Sequence, residues 1–544
     1  MIHNWYFKDK NPTFKFKELI FQFQLFTDTN RYDLDASKTK VLEKDDLFEL
    51  SCDGFEWAGG QEKAEGCLNA TIKYLNNKYQ VDIKAKKDEK IRKIKLRLLD
   101  EKQGTIIARR KYNYKLDDYG AIFRYPNGWD DLFTPLVCVK NEKDVRYYRS
   151  LDNQVRPKVF MLQKYKDKAI VELIFEQDSR QLENELIVPT WEIGNVSNYK
   201  QAFELQRKHI EKQYKCVSFQ RRKDVPSWAK KISLVISLHG MHWSGHIFNN
   251  YQDMQEKLAW FAKYIDPKDV LVYIPGFDGR YYYKYSNYDP DERMGGSKGL
   301  KQLIDFAHKL GYHVMPMFMA NGANPNEPGF DIWGMPSRYT SPNGFHHGVG
   351  SCDWDTSRSY SLGCGVALNP GAPLWQDKIV NEILKQVELY DFDAIFLDLA
   401  AIYENDPHYS TTQGVISIIN RLHKKHPELL ISTEGWFDAL TPYFPLSQCG
   451  AQASKLGEMI YHDTPYAKFF DKYNRMFGHL CLGDLANHHN GVFEWGINPA
   501  QTTMPLRKGI IQTLTILDDT IDIAKDEILK VIEVANTYKN KYLK

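Results

Sequence analysis

The chain lacks a C-x-x-C pair, although it has eight cysteines, at 52, 67, 138, 216, 352, 364, 449 and 481. Zinc ribbons and thioredoxin-like sites need paired spacing, so neither is supported. Scattered cysteines in a long chain point instead to reduced thiols. The sequence contains no run of 18 apolar residues, so no membrane helix is expected. Its first segment, MIHNWYFKDKNPTFKFKEL, has no continuous apolar core. No signal peptide is expected, and the chain reads as cytoplasmic, with a trimmed secretory signal as the alternative. Neither charge is in excess: 72 basic and 70 acidic side chains leave a net +2. That balance gives no electrostatic footprint for nucleic acid. No G-x-G-x-x-G or P-loop follows any strand-like segment, which removes the usual signs of a nucleotide-binding open sheet.

What is abundant is aromatic surface, 14% of residues with 12 Trp and 33 Tyr. Flat rings fill cores and also suit the faces of sugars. At 544 residues the chain is too long for one ordinary domain. Residues 1–198 read as short alternating strands: ATIKYLNNKYQVDIKAK is a hairpin around Asn76-Asn77, and KVFMLQKYKDKAIVELIFEQ one around Lys166-Asp167. A β-sandwich region is expected there. The first convincing helix, YKQAFELQRKHIEKQYK, opens a helical linker over 199–225.

From Pro226 onward, apolar strands alternate with amphipathic helices. ISLVISLHG, DVLVYIPGFDG, YHVMPMFMANG, FDAIFLDL and ELLISTEGW are the strands, with helices between them. Repeated β-α units with buried strands imply a parallel sheet. GEMIYHD and GHLCLGD are further expected strands, and 505–518 and 521–540 read as helical. The fold class expected is α/β, a (β/α)8 TIM-type barrel over 226–544 preceded by the N-terminal β-sandwich.

In such a barrel the C-terminal strand ends face the active site. Asp398 ends the apolar run AIFL, and Glu434 ends LLIST one β-α-β unit later. Burying a carboxylate is costly without compensation. Two carboxyls over one mouth are the minimal equipment for hydrolysing a glycosidic bond. The plainer alternatives are a helix cap for Asp398 and a structural ion pair for Glu434. Other strand ends offer His239, His242 and Trp243; Asp278 and Arg280; Asn321 and Asn324; His462 and Asp463; and Asp484. So many hydrogen-bonding groups suit a polyhydroxylated ligand. The histidines lack HExxH spacing, and no metal or other cofactor is expected. The 323–373 connection is far longer than an ordinary βα loop. It carries Trp333, His346, His347 and Trp354, and reads as a sugar-binding lid or a packed insertion.

These segments carry a resemblance. YDPDERMGGSKGLKQLIDFAHKLGYHVMPMFMANGANP and LNPGAPLWQDKIVNEILKQVELYDFDAIFLDL resemble the α-amylase-like and related α-glycosidases, and LLISTEGW is similar to their acid/base strand. The resemblance implies Asp398 as nucleophile, Glu434 as general acid/base, and Asp463 of YHD as a third carboxylate. The α-amylase pattern has an Arg two positions before the nucleophile and an Asp on the third strand, where this chain has Phe396 and Met317. The Asp and TEGW pair is also similar to endo-α-N-acetylgalactosaminidases, which share the barrel and carry an N-terminal β-domain. The chain thus reads as a divergent member of that wider group, a retaining glycosidase acting on an α-linked sugar. Trp436 and the strand-end groups above, with Trp333 and Trp354, would bind the carbohydrate. The competing readings are a non-catalytic carbohydrate-binding protein on a degenerate barrel, and a sugar isomerase or metal-dependent barrel enzyme. Neither nucleic acid nor a membrane is expected as a partner, and no oligomeric state follows from the sequence.

Overall fold

A computed structural model describes residues 11–108, 114–128, 132–241, 245–279, 285–346, 366–451, 465–479 and 503–543. The chain divides into two compact units, Met1–Gln213 and Tyr214–Lys544. The first is a sandwich of two nine-stranded antiparallel sheets. Alternating burial along Cys67–Leu75 and Lys78–Lys86 shows one face of each strand turned to the core. Phe21, Phe23 and Leu96 from one sheet meet Phe48, Ile72 and Val81 from the other there. Trp191 closes the core edge-on against Phe160, centroids 5.5 Å apart.

Both expected hairpins form. Asn76 and Asn77 take φ of 51° and 60° between Leu75 and Lys78, as a two-residue turn matched to strand twist requires. Lys166 takes φ 52° between the paired Tyr165 and Lys168. The helix Tyr199–Gln213 belongs to the first unit. Its buried Gln206 donates to Thr134 Oγ1 at 3.0 Å.

The second unit holds an eight-stranded parallel sheet. Its strands are β1 (Leu234–Leu238), β2 (Val270–Ile274), β3 (His313–Met319), β4 (Ala394–Asp398), β5 (Leu430–Glu434), β6 (Leu446–Ala451), β7 (Arg475–His479) and β8 (Gln512–Ile516). Neighbours pair in chain order, and β8 returns to β1. The remaining seam closes through Met476, whose N–H donates to Gly509 at 2.9 Å and whose carbonyl accepts from Ile511 at 2.8 Å. The sheet is therefore a closed barrel. Strands β1, β2, β4, β5 and β8 are buried at every position, because helices cover the outside and side chains fill the inside.

The helices form where the sequence places apolar residues three and four apart. Gly296–Leu310 buries Leu300, Leu303, Ile304 and Ala307, and ends on Gly311 at φ 102°. Tyr251–Phe261 starts with a capping box between Asn250 and Asp253. One expectation is overturned: 505–518 is not helical but contains β8. Burial between β1 and the β7 seam decides the matter, since its Thr and Ile residues fit a pleated strand. Strand β6 was not singled out by sequence, because Ser447 and Gln448 are polar yet almost fully buried. The expected strand GEMIYHD lies outside the described residues. Of GHLCLGD, only Gly478 and His479 lie within them, at the end of β7.

Inside the barrel, Tyr273, Phe396 and Phe477 form an aromatic layer with centroids 4.9 to 6.2 Å apart. The Tyr273 hydroxyl points at Met317 Sδ, 3.0 Å away. Phe396 and Met317 are the positions where the α-amylase pattern has charged groups. Here they belong to a largely apolar floor.

Candidate active site

Side chains alternate along a strand, so Asp398 sits one layer above Phe396, at the C-terminal end of β4. The β4–β5 register pairs Leu397 with Thr433, and the next step brings Asp398 beside Glu434. On its other side Asp398 pairs with Met319, and Glu434 pairs with Gln448. Both carboxyls are buried, Asp398 at 4% and Glu434 at 7% exposure. Glu434 hydrogen-bonds the Asp398 carboxyl. Two carboxyls can share a hydrogen bond only if one of them carries a proton. Burial pushes Glu434 up to about 7, against the opposing pull of its bonds to Asp398 and to the Leu399 N–H. One proton is therefore shared by the pair, which titrates as a unit.

The peptide after Asp398 is held on both sides. The Leu399 N–H donates to Glu434 Oε2 at 3.2 Å. The Leu399 carbonyl accepts from Asn321 Nδ2 at 3.1 Å. Leu399 has φ 55°, a conformation that costs a bulky residue roughly 1–3 kcal/mol and is characteristic of functional sites. The Ala320 N–H adds a bond to the Asp398 carbonyl at 3.2 Å.

Asp278, 3% exposed, follows β2. It and Asp398 both act on the Tyr288 hydroxyl, which burial keeps neutral by raising its pKa far above the ordinary value. That hydroxyl accepts the Met319 N–H at 2.8 Å, which leaves its own proton available to the site. Sequence reasoning passed over Tyr288 and Leu399. No motif marks a tyrosine in a loop, and the backbone angle of Leu399 has no sequence signature.

His239 ends up buried after β1, edge-on to Phe248 at 5.4 Å. Burial lowers its pKa to about 3, so its imidazole is neutral. Trp333 lies on the short helix Phe330–Trp333 of the long connection, stacked 5.9 Å from Trp375. Gly435, at φ 71°, turns the chain after Glu434, and the Trp436 ring is then fully enclosed beside Phe469 and Phe470. Asn324 is buried, and its side chain accepts the Asn326 N–H at 2.9 Å. His242, Trp243, Arg280, His347, Trp354, His462, Asp463 and Asp484 lie outside the described residues. Among the described residues no group of three or more His, Cys, Asp or Glu is arranged to hold a metal ion. Among them, too, no helix is long and apolar enough to cross a membrane.

No family model matches the chain, and no curated protein does. Solved structures do match in fold. The α-N-acetylgalactosaminidase NagBb from Bifidobacterium bifidum, as a quadruple mutant, superposes with a TM-score of 0.67 at 11% identity, over 97% of this chain and 93% of that one. Its ligand-free form gives 0.64 at 10% identity with the same coverage. The α-galactosidase from Lactobacillus brevis gives 0.52 at 13% identity, over 95% of this chain and 73% of that one. At these identities the likeness is one of fold: a (β/α)8 barrel preceded by a β-sandwich, the architecture this chain has over nearly its whole length.

Proposed function

We propose that the protein is a retaining glycosidase acting on an α-linked sugar. The observation that carries this reading is the buried, hydrogen-bonded pair of Asp398 and Glu434 on adjacent strand ends. Asp398 is the nucleophile. One of its oxygens attacks the anomeric carbon while Glu434 gives its proton to the glycosidic oxygen, and the glycosidic bond breaks. Glu434, now a carboxylate, takes a proton from water. That water attacks the anomeric carbon, the ester bond to Asp398 breaks, and the sugar leaves with its original configuration. Adjacent strand ends lie about 4.8 Å apart. That spacing favours the short separation of about 5–5.5 Å typical of retaining enzymes over the wider inverting one.

Asn321 and Leu399 hold the two carboxyls in register, and Tyr288 can donate a hydrogen bond to Asp398 or to a sugar hydroxyl. Asp278 suits further sugar hydroxyls. The solved structures of similar fold are named for α-N-acetylgalactosaminidase and α-galactosidase activity, so galacto-configured α-glycosides are the substrates to try first. The test is turnover of p-nitrophenyl α-N-acetylgalactosaminide and α-galactoside, with proton NMR of the first anomer released. The expected result is hydrolysis with initial release of the α-anomer. It should fall at least about a thousandfold in Asp398→Asn and Glu434→Gln while both variants stay folded. Equal turnover in parent and variants would sink the assignment, and initial release of the β-anomer would make the enzyme inverting.

A further inference from the structure

The sandwich contains a second site of different character. An open cleft of about 840 Å³ lies where the strand ends and turns of its two sheets meet, a size within the range of small-ligand pockets. Five lysines line it, at 102, 115, 140, 143 and 168, against two acids, Glu142 and Asp167.

The sheet registers put these charges together. Thr105 pairs with Lys115 on one side and Lys140 on the other, so both lysines stand on one face with only a threonine between them. Lys102 is directly opposite Lys168 in its antiparallel pair. Like charges so placed destabilise a sheet. Among the described residues, only Lys168 of the five is in an ion pair, with Asp100 at 3.7 Å.

The floor beneath them is fixed. The Gln103 amide donates to the carbonyls of Lys166 and Lys168 at 2.8 and 2.6 Å. Asn141 Oδ1 accepts the N–H groups of Lys143 and Asp144 at 2.9 and 3.0 Å. Gly104 lies so close to Lys140 that a Cβ there would come within 2.3 Å of its carbonyl oxygen.

We infer that this cleft binds a polyanionic oligosaccharide, one bearing sulfate or carboxylate groups. Five ammonium groups against two lining acids raise the local potential, and an anion that bridges them relieves the repulsion. No aromatic ring is among the described lining residues. Among the described lining residues there is thus no stacking platform of the kind that single-stranded nucleic acids need, and no ring for a neutral sugar. The choice of a glycan among polyanions rests on the carbohydrate reading of the barrel, whereas the charge of the cleft does not.

Calorimetric titration of the full chain with a heparin-derived hexasaccharide tests this, beside maltohexaose and a single-stranded oligothymidylate of equal charge. The expected result is salt-sensitive binding of the heparin fragment and none of maltohexaose. The triple variant K115Q/K140Q/K143Q should weaken binding at least tenfold and flatten the dependence of log Kd on log salt by roughly 2. A control triple, K40Q/K44Q/K73Q, removes the same charge from exposed positions on and near the opposite sheet edge and should leave Kd within twofold. Turnover of a small α-glycoside by the cleft variant should match the parent, which separates this site from the catalytic pair. Equal loss in both triples, oligothymidylate binding as tight as heparin, or no heparin binding at low salt would overturn the inference.

Discussion

Glu434 accepts the backbone N–H of Leu399 through Oε2 at 3.2 Å, so the proposed acid is tied to the residue directly after the proposed nucleophile. Asn321 holds the same peptide from its carbonyl side at 3.1 Å. A displacement of this peptide would move both carboxyls together. Asn321→Ala should therefore lower kcat about tenfold with KM within twofold, and cost about 1 kcal/mol of stability. Steady-state kinetics and urea unfolding check the two numbers. A change confined to KM would mean that Asn321 binds substrate rather than positioning the pair.

The raised pKa of Glu434 sets the pH profile. As the general acid it must be protonated, so kcat/KM should fall as pH rises through about 7. Glu434→Gln should lose that limb, which a pH-rate profile on a substrate with a good leaving group would show. The same shift affects folding. A carboxyl whose folded pKa lies above its unfolded value contributes stability that is full below about 4.5 and lost as pH rises through about 7. Glu434→Gln should flatten this loss between those limits in urea titrations.

At the opposite end of β4, Asp393 bonds His308 at 2.9 Å, His313 at 3.0 Å and the Val314 N–H at 2.9 Å. These bonds outweigh its burial and hold the carboxyl down at about 2, while Asp393 in turn raises His308. The Asp393 contribution is present above about 3.8 and lost as pH falls through about 2. The His308 contribution is full below 6.5 and lost as pH rises through its raised pKa. Stability from the cluster should be greatest between these limits. Asp393→Asn should cost about 3 kcal/mol there and leave the pH profile of kcat unchanged, as judged by denaturant unfolding at stepped pH.

Phe396 tests the barrel floor. Its ring lies 4.9 Å from Tyr273 and 6.2 Å from Phe477 and is fully buried. Phe396→Ala should cost about 3–5 kcal/mol, read from thermal or urea unfolding. Phe396→Leu should recover more than half of that loss. An arginine there, as in the α-amylase pattern, would place an unpaired charge among these rings and should prevent folding.

Much of the scaffold was legible because local rules and tertiary demands agree. Two-residue turns with tolerant Asn-Asn and Lys-Asp pairs marked the hairpins, and apolar runs alternating with three-four periodicity marked β1 to β5 and their helices. Strand β8 was misread, and β6 was not singled out. The Thr and Ile residues of one fit either period, and the buried Ser and Gln of the other conceal it. What makes a strand of either is the neighbour on each side, which sequence does not display.

The same division holds at the site. The sequence alone determined that Asp398 and Glu434 end two apolar runs in successive β-α units, because the alternation of apolar strand and amphipathic helix marks both. Only the tertiary structure decided that the two carboxyls share a hydrogen bond, that Leu399 is held at positive φ between Glu434 and Asn321, and that Tyr288 reaches the Asp398 side of the mouth. It also decided that Trp436, two residues from Glu434, turns into a cluster of rings. Register and packing set those distances. They arise between residues tens of positions apart, where a single sequence carries the chemistry of each group but not its neighbour.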